Sequence, residues 1–179
     1  MNEHKQIMLE NNLILTEEQS EFLDFVLSPN FSWYNQTGTS KIFNTFSHTL
    51  MARHDEKLQK PGIINSQFYD KGISIFYKFC KDNNIPVNGI LRAAFNNTTF
   101  KPEKWGDIHI DHNNMYHYNF ILYVNESSGS TFVFDNTATE LIKEFTFKKN
   151  KGIIFTGAPH AQGFCSPYET RVVLVVTFY

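Results

Sequence analysis

The sequence predicts a mainly β fold of the α+β class, in which helices pack outside a sandwich or barrel of antiparallel strands. From about residue 88 onward, short apolar runs alternate with turn residues, which is typical of antiparallel strands. The earlier half carries apolar residues mainly at helical spacing. With 179 residues, the chain is long enough for one domain with a sizeable core. We therefore expect a single domain, with a helical part over about 1–86 and a β core over about 87–179.

The helical part contains three segments with the periodicity of amphipathic helices. They cover about 16–27, 41–54 and 66–82. The first segment begins with a capping box that Thr16 and Gln19 can form, and the last is ended by the sequence NNIP. The sequence FSWYNQ, which follows the first helix, is predicted to be extended.

The β core contains eight short runs with strand character. They read GILRAAF, DIHID, YHYNFILYVN, STFVF, EFTF, GIIFTG, AQGF and RVVLVVTFY. The alternation of the third run places His117, Asn119, Ile121 and Tyr123 on one face, and aromatic and aliphatic residues on the other. We interpret the apolar face as core and the mixed face as the wall of a pocket. The last run alternates in the same way.

The mixed face of the last run begins with Arg171. A buried arginine is costly unless an anionic group pairs with it, because its guanidinium loses its hydration. The position of Arg171 therefore predicts an anionic partner in the same pocket.

Composition argues against several classes of protein. A net charge of −2 and a pI near 6.4 provide no broad basic surface, so a role dominated by nucleic-acid phosphates is not indicated. No segment is apolar enough to span a membrane, and the N-terminus lacks the features of a signal peptide. The two cysteines, Cys80 and Cys165, are not in a CxxC motif and fit a reducing compartment. We expect a cytoplasmic protein without a membrane partner.

Candidate metal ligands lie in the sequence WGDIHIDHNNMYHYNFILYVN. His109 and Asp111 are two positions apart near the end of a predicted strand. Their side chains should leave the strand on the same side, with Cα atoms about 6.5 to 7 Å apart, and can bind one divalent metal ion. His112 is expected to point from the opposite face. His117 is expected at the solvated rim of the site or in contact with substrate.

The third ligand is expected from His160, which follows the strand GIIFTG. If the sequence CSPYE closes a hairpin near Cys165 and Ser166, His160 faces Arg171 on the neighbouring strand. Two histidines and one carboxylate form a facial triad that leaves metal positions open, which is typical of non-haem Fe(II) oxygenases. Taken alone, His109 is better explained as a structural histidine; the ordered set predicts a metal site.

This ordered set resembles the 2-oxoglutarate and Fe(II)-dependent dioxygenases, in particular the prolyl-4-hydroxylase-like clan and its short phage members. The resemblance covers about 88–179 and rests on five motifs: HID for HxD, ILYVN for the strand with the tyrosine, SGSTFVF for the Gly-Gly-Thr-x-Phe-like strand, PHAQ for the distal histidine and RVVLVVTF for the arginine strand. Many relatives have two glycines where this chain has Ser128 and Gly129.

The resemblance implies a double-stranded β-helix, also called a jelly roll or cupin-like fold, with Fe(II) held by His109, Asp111 and His160. It implies 2-oxoglutarate and dioxygen as cosubstrates, with Arg171 and Tyr123 binding the distal carboxylate of 2-oxoglutarate. Four further residues are expected to line the same pocket: Asn119, Ile121, Thr131 and Thr177. Such enzymes release succinate and CO2 and oxidise an unactivated C–H bond, and the carboxylate ligand argues against a halogenase.

The leading hypothesis is therefore a hydroxylase whose substrate is a peptidyl residue such as proline, another protein side chain or a small molecule. The alternative is a non-catalytic double-stranded β-helix module that binds a metal or a small acid; the release of succinate and CO2 separates the two. Arg92 is expected either in a salt bridge at the rim or in contact with substrate. Asn96 is expected either in a structural role or in a hydrogen bond to the iron-side carboxylate of 2-oxoglutarate.

Overall fold

The computed structural model describes residues 7–35, 45–53 and 62–179. These residues form eleven strands and two α-helices. In chain order they are β1 (Met8–Asn12), α1 (Glu17–Leu27), β2 (Tyr34–Asn35), β3 (Thr45–Ala52), β4 (Ile63–Ile64), α2 (Tyr69–Asp82), β5 (Ile90–Thr99), β6 (Tyr118–Tyr123), β7 (Thr131–Phe134), β8 (Leu141–Phe145), β9 (Lys151–Thr156), β10 (His160–Gln162) and β11 (Thr170–Phe178). The described part of the chain is mainly β, as predicted.

The strands form two sheets in which every pairing is antiparallel. The larger sheet has eight strands in the order β1-β9-β6-β11-β5-β3-β2, and β4 pairs with β3 beside this row. The smaller sheet has the order β10-β7-β8. Neighbouring strands are mostly distant in sequence, so tertiary contacts rather than local hairpins hold the larger sheet together.

Both helices cover the outer face of the larger sheet. The predicted capping box of α1 is confirmed, because the Thr16 hydroxyl accepts a hydrogen bond from the Gln19 N–H and the Gln19 side chain accepts one from the Thr16 N–H. The α2 rings of Phe76 and Phe79 pack against Phe120 of β6, with centroid distances of 5.4 and 5.1 Å. Within the described ranges, no helix has the length and apolar character that a membrane span requires.

The predicted difference between the two faces of β6 and β11 is confirmed. One parity contributes Phe120 and Leu122 to the core beneath the helices. The other parity contributes Ile121 to a second core, which it shares with Val133 and Phe145 of the smaller sheet. The inner face of the larger sheet therefore packs against the smaller sheet, and the candidate site lies on this inner side.

The helix predicted over 41–54 is wrong where the structure describes it. Residues Thr45–Ala52 form β3, which pairs with β2, β4 and β5, while residues 41–44 and 54 lie outside the described ranges. β1 was not predicted, because the sequence MLENN lacks the apolar alternation of a buried strand; it pairs with β9 at the edge of the sheet. The N-terminal part thus supplies strands as well as helices.

The hairpin predicted around Cys165 and Ser166 is also wrong. β10 pairs with β7 in the smaller sheet, whereas β11 pairs with β5 and β6 in the larger one. The chain crosses between the two sheets after β10, so His160 and Arg171 are not cross-strand partners. The predicted strand DIHID is reduced to an isolated bridge between His109 and His160.

Candidate active site

Three potential ligand groups converge between the two sheets. One ligand atom from each of His109, Asp111 and His160 lies within 4.8 Å of the other two. The isolated β-bridge holds His109 and His160 side by side. The His109 N–H donates to the His160 carbonyl over 3.0 Å, and the His160 N–H donates to the His109 carbonyl over 2.9 Å. The residues that were predicted as ligands from their order in the sequence are thus brought together by the fold.

Backbone carbonyls select the ring nitrogen that each histidine presents. The Nδ1 of His109 donates to the carbonyl of Asp107 over 3.0 Å, and the Nδ1 of His160 donates to that of Ala158 over 2.9 Å. A histidine whose Nδ1 carries the proton keeps the lone pair of its Nε2 for a metal ion. Burial, followed by the neighbouring His160, lowers the pKa of His109 below its ordinary value, which favours the neutral ligand form.

Asp111 presents its two carboxylate oxygens to different partners. Oδ1 accepts a hydrogen bond of 2.6 Å from Nη2 of Arg53, and Oδ2 lies 3.5 Å from Nε2 of His160. Burial of Asp111 opposes its ionisation, but the neighbouring side chains of His160, Arg92 and His109 hold the pKa of this carboxyl well below its usual range. Asp111 is therefore ionised, and its Oδ1 is held by an arginine.

Arg171 lies in a separate, fully enclosed part of the site, with 2% of its surface exposed. Its Nε donates to the carbonyl of Gly129 and its Nη2 to the hydroxyl of Thr131, both over 2.9 Å. The guanidinium carbon lies 6.0 Å from the ring centroid of Tyr123 and 5.7 Å from that of Phe147. Burial lowers its pKa, and among the described residues no carboxylate pairs with it.

Tyr123 and Thr131 lie beside Arg171. The Tyr123 hydroxyl lies 2.9 Å from the Thr131 hydroxyl and 3.1 Å from the carbonyl oxygen of Phe145, and burial raises the pKa of Tyr123 to about 12. Ile121 belongs to the apolar cluster between the sheets. Tyr123 and Ile121 therefore lie on the inner face of the larger sheet together with Arg171, and Thr131 reaches Arg171 from the smaller sheet.

Asn119 and Thr177 occupy the opposite end of the same face. They are cross-strand partners, and Thr177 is six residues from Arg171 along β11 (171 to 177). The Thr177 hydroxyl lies 2.8 Å from Nε2 of His112. Both residues are fully buried, but they lie roughly 20 Å from the Arg171 backbone at about 3.3 Å per residue, so the inner face of the larger sheet has polar residues at both ends.

Two predictions about histidines are corrected here. His112, expected to point away, is 5% exposed and packs edge-on against His117 with ring centroids 4.8 Å apart. Burial lowers the pKa of His112 to about 4. His117, expected either at a solvated rim or in contact with substrate, is 1% exposed, which excludes the rim; it packs over Gly157, where an added Cβ would lie 2.4 Å from the imidazole.

The main residue that the sequence did not predict is Arg53, which reaches Asp111 from the end of β3, 58 positions earlier in the chain. Because β3 was predicted to be a helix, no pattern placed Arg53 near the site. Arg53 reaches the site because β3 pairs with β5 and β5 pairs with β11. These pairings are seen in the structure and have no local sequence pattern.

The fold and the site together define a two-sheet β protein with a His-Asp-His cluster of the composition that binds non-haem iron. No protein-family model matches the chain, and no curated protein sequence matches it. Solved structures do: the chain shares the fold of 2OG-Fe(II) oxygenases, including prolyl-4-hydroxylases. The resemblance to this superfamily and to its prolyl-hydroxylase-like clan is thereby confirmed at the level of the fold.

Three similar structures illustrate the match. A 2OG-Fe(II) oxygenase family oxidoreductase from Burkholderia pseudomallei has a TM-score of 0.67 at 12% identity, over 97% of this chain and 83% of its own. A prolyl-4-hydroxylase from Pseudomonas putida has a TM-score of 0.56 at 11% identity, over 96% and 91%. A Trichoplax adhaerens prolyl hydroxylase, in complex with a peptide fragment of a hypoxia inducible factor, has a TM-score of 0.62 at 13% identity, over 96% and 83%.

Proposed function

We propose that this protein is an Fe(II)- and 2-oxoglutarate-dependent oxygenase with a double-stranded β-helix fold. It hydroxylates an unactivated C–H bond, and one oxygen atom of O2 enters the product while the other enters succinate, with release of CO2 from 2-oxoglutarate. The observation that carries the proposal is the enclosed Arg171 without a carboxylate partner among the described residues, in the same inter-sheet space as the His-Asp-His cluster.

The donor set fits Fe(II). His109 and His160 would each supply Nε2, since their Nδ1 atoms are hydrogen-bonded to backbone carbonyls, and Asp111 would supply Oδ2. Arg53 would hold the other carboxylate oxygen and so fix the orientation of Asp111. Three protein ligands leave the remaining metal positions to a chelating cosubstrate and O2.

The pocket at Arg171 fits the distal carboxylate of 2-oxoglutarate. The buried guanidinium makes two hydrogen bonds to neutral oxygens and has no carboxylate partner among the described residues, so a bound carboxylate would gain a charge-assisted pair in a site shielded from water. Tyr123 would help through its hydroxyl, Thr131 orients the guanidinium, and Ile121 supplies an apolar wall for the methylene groups. Asn119 and Thr177 lie at the metal end of the pocket.

The bound iron and 2-oxoglutarate would supply the oxidising chemistry, and the residues of this chain would bind, orient and exclude water. The apolar cluster between the sheets contributes Phe147 beside Arg171 and Phe155 beside His160, and such apolar surroundings strengthen electrostatic interactions. As the primary substrate we propose a peptidyl residue, such as proline, a class favoured by the likeness to a prolyl hydroxylase solved with a peptide.

Anaerobic calorimetry tests the proposal, with Mn(II) in place of Fe(II) and 2-oxoglutarate added second. We expect wild-type protein to bind both, Asp111→Ala to lose the metal, and Arg171→Ala to keep the metal but bind 2-oxoglutarate much more weakly. Iron-loaded wild-type protein should then release succinate and CO2 from 2-oxoglutarate in air. Metal binding without 2-oxoglutarate binding would instead support a non-catalytic metal-binding module.

A further inference from the structure

A row of polar side chains crosses the inner face of the larger sheet at the end remote from Arg171. Arg92 of β5 is the cross-strand partner of Thr177, and Thr177 is the partner of Asn119. Directly opposite residues of antiparallel strands point to the same side of the sheet, so these three side chains share one face. The next row along the strands consists of the apolar residues Ala94, Val175, Ile121 and Ile153.

This row lies beside the candidate metal ligands. Asn119 is opposite Phe155 of β9, whose ring packs against that of His160 with centroids 5.1 Å apart. Arg92 and Asp111 also attract each other, because each opposite charge stabilises the charged form of the other residue. The row therefore borders the metal end of the pocket, on the side away from Arg171.

Several polar groups at this end have no hydrogen-bond partner within the described part of the chain. Asn119 is 0% exposed, and among the described residues neither its amide nitrogen nor its amide oxygen has a hydrogen-bond partner. His117, 1% exposed, donates from Nδ1 to the Met115 carbonyl, and its Nε2 has no partner in the ranges that the structure describes. Arg92 is half-buried and forms neither a hydrogen bond nor an ion pair with any described residue. Unsatisfied buried polar groups are costly, which indicates that a ligand completes them.

A 2-oxoglutarate molecule that spans from Arg171 to the metal does not extend to the polar row beyond it. Arg171 and Thr177 are separated by roughly 20 Å along β11 at about 3.3 Å per residue. The two carboxyl carbons of 2-oxoglutarate are only about 5 Å apart when four C–C bonds of about 1.5 Å are extended. If Arg171 holds the distal carboxylate, the groups at the far end are available to a different molecule.

We propose that Arg92, Asn119 and His117, termed here the Arg92 subsite, bind a carboxylate of the primary substrate and hold the carbon to be oxidised beside the metal. The proposal rests on the proposed function. The Arg92 guanidinium supplies the charge and fork geometry that match a carboxylate, and the Asn119 amide adds a neutral donor. The Nε2 of His117 is an acceptor, so it selects an N–H or O–H group next to that carboxylate.

The substrate class follows from this set of groups. A carboxylate with a neighbouring N–H occurs in N-acylated amino acids, in peptide C-termini and in acidic residues within peptides. Local charge favours such an anion, because Arg53, Arg92 and the metal outweigh Asp111, which is the one acidic group acting on Arg92 among the described residues. An uncharged peptide segment would leave Arg92 with Asp111 as its one acidic neighbour among the described residues.

Relaxation of probe protons by Mn(II) tests this placement without any turnover. The protein is loaded anaerobically with Mn(II) and 2-oxoglutarate, and both binding events are first checked by calorimetry. N-acetyl-proline and its primary amide form one matched pair of probes; blocked peptides with Asp-Pro and Asn-Pro form a second. The first pair reports a free acid, and the second reports an acidic residue within a peptide.

We expect the proton signals of at least one carboxylate probe to be broadened by Mn(II)-loaded protein. The protein concentration needed should be tenfold lower than for the matched amide probe. Arg92→Gln should abolish that difference, whereas Lys148→Gln, which removes a charge from an exposed turn, should preserve it. Arg92→Lys should restore part of the preference, since it keeps the charge but loses the fork. Asn119→Leu should weaken both members of a pair without unfolding the protein, as judged by circular dichroism.

Three results would overturn the subsite. Equal broadening by acid and amide probes, or by none of them, in protein that binds Mn(II) and 2-oxoglutarate would remove the carboxylate preference and leave the oxygenase proposal standing. Weaker 2-oxoglutarate binding in Arg92→Gln, with unchanged probe binding, would assign Arg92 to the cosubstrate. Failure of wild-type protein to bind 2-oxoglutarate would refute the proposed function, and the subsite with it.

Discussion

Replacing Arg171 with methionine should separate ligand binding from folding. In wild-type protein, 2-oxoglutarate at about 100 times its Kd stabilises the folded state by about 2.7 kcal/mol. For a chain of 179 residues, at about 2–4 °C per kcal/mol, this raises Tm by about 5–10 °C. Loss of one partner of a buried charge pair costs at least about 2 kcal/mol, or about 30-fold in Kd.

At the same concentration of 2-oxoglutarate, Arg171→Met should therefore retain a Tm shift of only about 2–3 °C. The ligand-free variant should stay within about 2 kcal/mol of wild type, because an apolar side chain replaces a buried guanidinium that has no carboxylate partner among the described residues, while the Gly129 carbonyl and the Thr131 hydroxyl each lose one hydrogen bond. Thermal melts with Mn(II), with and without 2-oxoglutarate, measure both quantities.

Lys148→Met is the matched control, since it removes a cation from an exposed turn. It should keep the full shift caused by 2-oxoglutarate. If Arg171→Met keeps the full shift as well, the buried guanidinium does not bind the cosubstrate, and the reasoning from its missing counter-charge is refuted.

Three further outcomes are expected. Arg53→Gln should weaken Mn(II) binding about 10- to 100-fold in calorimetry, because Asp111 loses the contact that orients it; unchanged affinity would show that the metal-bound form does not use this contact. Gly157→Ala should lower the free energy of unfolding in urea by about 1–3 kcal/mol, since its Cβ would lie 2.4 Å from an imidazole, whereas Gly106→Ala, with its nearest atom at 3.5 Å, should be tolerated. Burial raises the pKa of Cys80 to about 12, so alkylation of this thiol at pH 8 should be slow in native protein and fast in urea; fast native labelling would contradict its burial.

The sequence was most informative where chemistry and periodicity coincide. Alternation in β6 and β11 separated core from pocket wall, and the order of His109, Asp111 and His160 identified groups that the structure brings together. Alternation works there because each strand is buried on two chemically different faces.

The failures share one physical cause, which is pairing between distant segments. β3 has apolar residues that also fit a helix, and its strand state depends on β5, about 45 residues later. The connection from His160 to Arg171 was read as a local hairpin, but each strand has better partners elsewhere in the chain. Arg53 was missed for the same reason, because its approach to Asp111 depends on the position of β3.

The order of strands in the larger sheet also limits how the protein can be truncated. A fragment starting near residue 87 would keep every proposed metal ligand, yet it would lose β1 and β3, which flank β9 and β5. Both strands would then become open edges able to pair with other chains, and the loss of α2 would expose aromatic residues such as Phe120. The segment that carries the motifs is therefore not a transplantable module, and a minimal version for engineering must include the N-terminal half.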